Sequence, residues 1–203
     1  MYRALAWLNG RMLAVAGWCY LAITALITFD IVARRLLGFS TEATTELTGY
    51  LMAIGMSWGL AGTLLERGHV RIDVLVQRLP LGVRVWLHIA SLVAMAVTTA
   101  FFLYGAFSLA RDSFELGSTD LSALRTPMAV PQGLWAAGFA LLLLTAVALT
   151  LRSLAGVLRG EADAVDRTLM SRTYEDEAAE TLEAVGAAPA GGAAAAAHKG
   201  RAP

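Results

Sequence analysis

Apolar positions along this chain gather into four long stretches separated by short polar ones. Met12 to Ala33 is interrupted only by Asp30, Leu47 to Leu65 holds no charge, Val85 to Ala110 contains His88 as its one ionisable group, and Pro131 to Leu151 has none. A spanning helix needs about 20 apolar residues to cross roughly 30 Å of hydrocarbon, and each stretch meets that length. Four segments cannot close a barrel, and an unpaired backbone in lipid is too costly, so each reads as a helix. The pattern therefore predicts an all-α integral membrane fold. A cytoplasmic N-terminus covers 1–11, a four-helix membrane domain 12–152 with spans at about 12–33, 47–65, 85–110 and 131–151, and a cytoplasmic tail 153–203.

A different pattern fills the loop between the second and third spans. On a helix at 100° per residue, RIDVLVQRL gathers Ile72, Leu75, Val76 and Leu79 on one side and Arg71, Asp73, Gln77 and Arg78 on the other. That spacing predicts a short amphipathic helix lying in the membrane interface, with Gly68 turning the chain into it and Leu79-Pro80-Leu81-Gly82 ending it. The alternative is a solvated connector. In the tail, TYEDEAAETLEAV permits helix, and GAAPAGGAAAAAHKGRAP is of low complexity and expected to be disordered.

Charge decides orientation more than class. The formal net charge of 203 residues is +0, so no basic excess points to nucleic acid. Twelve of the sixteen Lys and Arg fall in the N-terminus, the middle loop and the tail. The positive-inside bias thus expects both termini in the cytoplasm of a cell with this chain in its inner membrane. Arg3 and Arg11 precede an apolar run too long for the core of a signal peptide. The single Cys19 excludes an intramolecular disulfide.

Candidate chemistry is sparse. An ion or substrate path through lipid normally carries ionisable groups near mid-membrane, and none stands there. Asp30 is one turn before Arg34 and reads as an i,i+4 interfacial pair, with a proton-relay role as the alternative. No Ser-His-Asp grouping, H-E-x-x-H or phosphate-binding loop is present, and His69 and His88 are badly placed for haem, so no enzyme, cofactor or metal is expected. The spans instead offer packing surface. Gly55 and Gly59 form a G-x-x-x-G, with Gly62 a turn on, suited either to packing within the bundle or to a partner. Trp86 and Trp135 sit near span ends, whereas Trp58 is deeper and reads as a core or contact residue.

The order Glu46-Leu47-x-x-Tyr50, second span, then Arg67-Gly68-His69-Val70-Arg71-Ile72-Asp73 and Leu79-Pro80, resembles the Q-type small permease subunit of tripartite ATP-independent periplasmic (TRAP) transporters. Thr126 to Trp135 is similar to the Pro-rich start of the last helix in part of that family, and the resemblance covers roughly residues 12–152. It departs at Thr45 and Gly49, where the family often has an acidic and a basic residue, and at Ala129, where an aromatic is common. The resemblance implies a scaffold that braces a large multi-spanning permease subunit. That subunit couples uptake of an organic acid, delivered by a periplasmic solute-binding receptor, to the sodium gradient. On this reading Glu46, Tyr50, Gly55, Gly59, Arg67, His69, Arg71, Asp73 and Arg78 are candidate contacts to the partner or to membrane lipid. The alternative class is a self-contained four-helix homo-oligomeric transporter or channel, for which Asp30 is the one candidate intramembrane acid.

Overall fold

The computed structural model of the chain describes residues 2–40, 43–65, 79–122, 124–169 and 181–182; for residues 2–4 and 167 only the backbone is described. The predicted interfacial helix, 71–79, lies outside the described residues except for Leu79. Four long helices account for most of the rest: α1 (Tyr2–Leu36), α2 (Thr44–Leu65), α3 (Leu81–Glu115) and α4 (Ala129–Leu158). A short fifth, α5 (Ala162–Leu169), follows α4. Among the described residues there is no strand, only an isolated bridge between Thr119 and Pro127.

The helices overrun the apolar stretches, because the flanking residues favour helix as well. Alanine, leucine and arginine dominate YRALAWLNGRML, and all three have high helix propensity, so α1 starts ten residues before its apolar run. Helices α1, α3 and α4 stop where glycine permits a left-handed turn: Gly38 at φ +74, Gly117 at φ +60 and Gly160 at φ +77. After α3 the amides of Gly117 and Ser118 return to the carbonyls of Phe114 and Ser113, and after α4 those of Gly160 and Glu161 return to Val157 and Gly156. This arrangement satisfies carbonyls that a helix end otherwise leaves open. Pro80, in an extended conformation, stands immediately before α3, where its missing N–H costs no helical hydrogen bond.

Three helices, over Leu5–Leu36, Leu81–Glu115 and Ala129–Leu158, are long and apolar enough to cross a membrane. Helix α2 is also long enough, its 22 residues reaching about 33 Å. Glycine, threonine, serine and its Tyr and Trp dilute its apolar character, which leaves it outside that group. The four stretches expected to span are thus helical throughout, and three of them are long and apolar enough to cross a membrane.

Packing follows an open row. Helix α1 packs on α2, α2 on α4, and α4 on α3, while α1 and α3 stand at opposite edges. Small residues set the spacing. A Cβ added at Gly138 of α4 would fall 2.8 Å from the backbone carbon of Ser57, so these two helices touch at backbone distance. On the opposite side of α2, a Cβ at Gly62 would sit 3.0 Å from that of Leu13. Close approach of this kind supplies packing where lipid gives no hydrophobic drive between helices. One polar link crosses from α1 to α4: the buried Asn9 side chain donates to Thr145 Oγ1 at 3.1 Å.

The large buried side chains concentrate at one end of the row. Leu5, Leu64, Val85, Ile89, Leu92 and Leu149 belong to a single apolar cluster, which α5 completes with Val165 and Leu169. Toward the other end the buried residues become small, including Ala33, Ala106, Ser113 and Ala136.

Candidate interaction surface

The residues singled out from the sequence divide by position. Arg67, His69, Arg71, Asp73 and Arg78 lie outside the described residues. Glu46, Tyr50, Gly55 and Gly59 all lie on α2, and the structure gives three of them neighbours within the chain. A Cβ at Gly55 would meet Cys19 Cβ at 3.3 Å and Ala16 O at 3.5 Å, and one at Gly59 would meet Ala16 Cβ at 3.8 Å. The G-x-x-x-G face is therefore spent on α1.

Tyr50 reaches the loop before α4. Its hydroxyl donates to the Asp120 carboxylate and lies 3.7 Å from Met128 Sδ. That loop is a tight return: Asp120 N donates to Thr126 O at 2.9 Å, Met128 N to Ser118 O at 3.0 Å, and Arg125 turns at φ +46. Tyr50 and the loop thus pin the first turns of α2 beside the start of α4. Glu46 differs from these three, since its Oε2 is buried with no hydrogen-bond partner among the described residues. An acceptor left so carries a desolvation cost that an external donor would relieve.

Two buried carboxylates are paired, one at each end of the row. At the end where α1 finishes, Asp30 is buried and accepts from Arg34 and, at 3.3 Å, from Ser40 Oγ. This is the i,i+4 pair expected from the sequence, with a loop hydroxyl added. At the opposite end, buried Asp166 of α5 accepts from Arg84 in a two-pronged contact, Nε to Oδ1 at 2.7 Å and Nη2 to Oδ2. His88 Nε2 stands 3.6 Å from the same Oδ1. The fork of a guanidinium matches a carboxylate in this way, and pairing is what makes burial of the charge tolerable. Arg84 is thus engaged within the chain.

Sequence reasoning missed Asp120 and Asp166. Their partners are 70 and 82 positions away, beyond the reach of any local periodicity. Trp58 proves a contact residue of the same long-range kind, its indole N–H donating to Leu134 O at 2.8 Å. Trp135 packs edge-on against Phe139 with ring centroids 5.2 Å apart.

What remains outward is apolar. Trp18 on α1 and Phe101 and Tyr104 on α3 are each more than 70% exposed. Among the described residues no group of three His, Cys, Asp or Glu is placed to hold a metal ion. Long apolar helices, charges confined to the ends and bare outer faces define an α-helical membrane protein whose side chains serve helix packing. Residues 23–156 match the sequence model of the DctQ component of tripartite ATP-independent periplasmic transporters, and the chain belongs to that family. It is thereby the small permease component of a TRAP transporter, in a family that works with a large permease and a periplasmic receptor and is not an enzyme family. Comparison with individual curated proteins gives no match.

Proposed function

We propose that this chain is a fixed frame for the large permease, bracing it during sodium-coupled uptake of an organic acid that the periplasmic receptor delivers. The observation that carries this reading is the open row. In α1 only 6% of the apolar window is buried within the chain and in α3 only 17%, against 39% in α4. A row with bare edges encloses no path for a solute, yet offers long apolar surfaces to a larger membrane neighbour.

Helix α2 crosses the membrane on this reading. It lies between α1 and α4, both apolar enough to span, and is held to them by glycine contacts on one side and Ser57 on the other. Four crossings put both termini on one side, and the arginine distribution favours the cytoplasm of a bacterial inner membrane. Arg67, Arg71 and Arg78 then meet anionic lipid or acidic groups of the partner, at about 1 kcal/mol each.

The self-contained transporter reading is the weaker one, because Asp30, its only candidate acid, is already held by Arg34 and Ser40. Affinity purification of this chain from its native membrane is expected to bring down one large, highly hydrophobic protein. Proteoliposomes containing this chain alone are expected to show no solute uptake under a sodium gradient. Uptake by the pure chain would defeat the bracing role.

A further inference from the structure

Where α1 ends and α2 begins, the two helices border a cleft of about 580 Å³. Its α1 wall changes character along one helical stripe. Ile27 and Ile31, one turn apart and both exposed, come first, and Arg34 and Arg35 follow on the next turn. Threonines from the first turns of α2 form the facing wall. Apolar wall, then guanidinium pair, then the helix end is also the order in which a membrane passes from hydrocarbon to headgroup.

The charge in the cleft is unbalanced. Asp30 takes up Arg34, and no described acidic side chain pairs with Arg35. Glu46 lies on the same end of α2 but does not line the cleft. One surplus positive charge is left beside a row of hydroxyls and the amino end of α2, which itself favours an anion. An inorganic anion would use the arginines and threonines but has no need of Ile27 and Ile31.

We infer that this cleft holds the phosphate-bearing headgroup of a phospholipid from the leaflet at which α1 ends. Arg35, supported by Arg34, binds the phosphate; the exposed Thr45 hydroxyl donates to a remaining headgroup oxygen; Ile27 and Ile31 lie along the upper methylenes of one acyl chain. The site needs only that α1 and α2 be embedded in a bilayer, so it stands apart from the bracing role.

Native mass spectrometry of the full chain in detergent, titrated with phosphatidylglycerol, tests it. The wild-type chain is expected to retain one lipid at low occupancy. Arg35→Gln is expected to weaken retention about fivefold, the effect of one basic residue near a lipid surface, and Arg35→Lys to keep most of it. Arg111→Gln, removing an exposed arginine paired with Glu115 by α3's end, is expected to change nothing. Ile31→Ser is expected to weaken lipid retention without altering binding of inorganic phosphate, measured alone in a second arm. Equal effects of Arg35→Gln and Arg111→Gln would overturn the site. So would displacement of the lipid by millimolar phosphate together with indifference to Ile31→Ser, which would mark a free-anion site. Circular dichroism of each variant separates loss of the site from loss of helix.

Discussion

Single atoms decide the tightest contacts in this molecule. Alanine at Gly138 would drive a methyl carbon against the Ser57 backbone, which cannot rotate away as a side chain can. Gly138→Ala is expected to destabilise by about 1 to 3 kcal/mol, the usual range for overpacking. Gly49→Ala, where nothing lies within 4 Å, is expected to be neutral or slightly stabilising, since alanine favours helix. Thermal unfolding in detergent compares the two. Asp166 makes a second case: Asp166→Asn leaves Arg84, 20% exposed, without its counter-charge. A loss of about 3 kcal/mol is expected, at the lower end for a broken buried pair, and the double change Arg84→Met with Asp166→Leu is expected to recover most of it. Of the residue-level contacts, Asp30 with Arg34 was legible in the sequence because four positions make one helical turn. Tyr50 with Asp120 and Arg84 with Asp166 were not, because only the packing of separate helices brings them together.

At the level of elements, the apolar stretches announced the helices, whereas the glycines that end three of them emerge only from the structure. Gly38, Gly117 and Gly160 all sit where the chain must turn left-handed. The lengths were less legible. Hydropathy marks where lipid is tolerated, whereas helix continues as long as propensity allows, so α1 and α3 each extend to 35 residues. That is about 52 Å, well beyond the hydrocarbon core. The glycine face of α2 fitted two destinations in the sequence, and the structure directs it to α1. A cysteine pair introduced as Ala16→Cys and Gly59→Cys, in a Cys19→Ser background, has its Cβ atoms 3.8 Å apart, a common disulfide separation. Mild oxidation is expected to join it nearly completely. Failure to cross-link would mean that α1 and α2 do not pack on this face.

For the whole molecule, the open row separates residues that hold the fold from residues that face outward. Leu92 is fully buried and Phe101 on the same helix is 74% exposed. Leu92→Ala is expected to cost about 2 to 5 kcal/mol of stability. Phe101→Ala is expected to leave thermal unfolding nearly unchanged and, on the bracing reading, to lower the yield of co-purified large subunit. The class of fold could be read from hydropathy alone, but the order of helices across the row could not. Four similar apolar helices pack in many orders, and the choice rests on small residues such as Ser57 and Gly138 meeting across helices. Helix α5 adds a mechanical consequence. Because it folds back from Gly160, is fastened to Arg84 and buries Leu169 in the apolar cluster, tension on the trailing segment is borne by that cluster and by a guanidinium and a carboxylate at the foot of α3. A load applied beyond α5 is therefore shared between the edge helix α3 and its neighbour α4, against whose Gly156 Val165 packs.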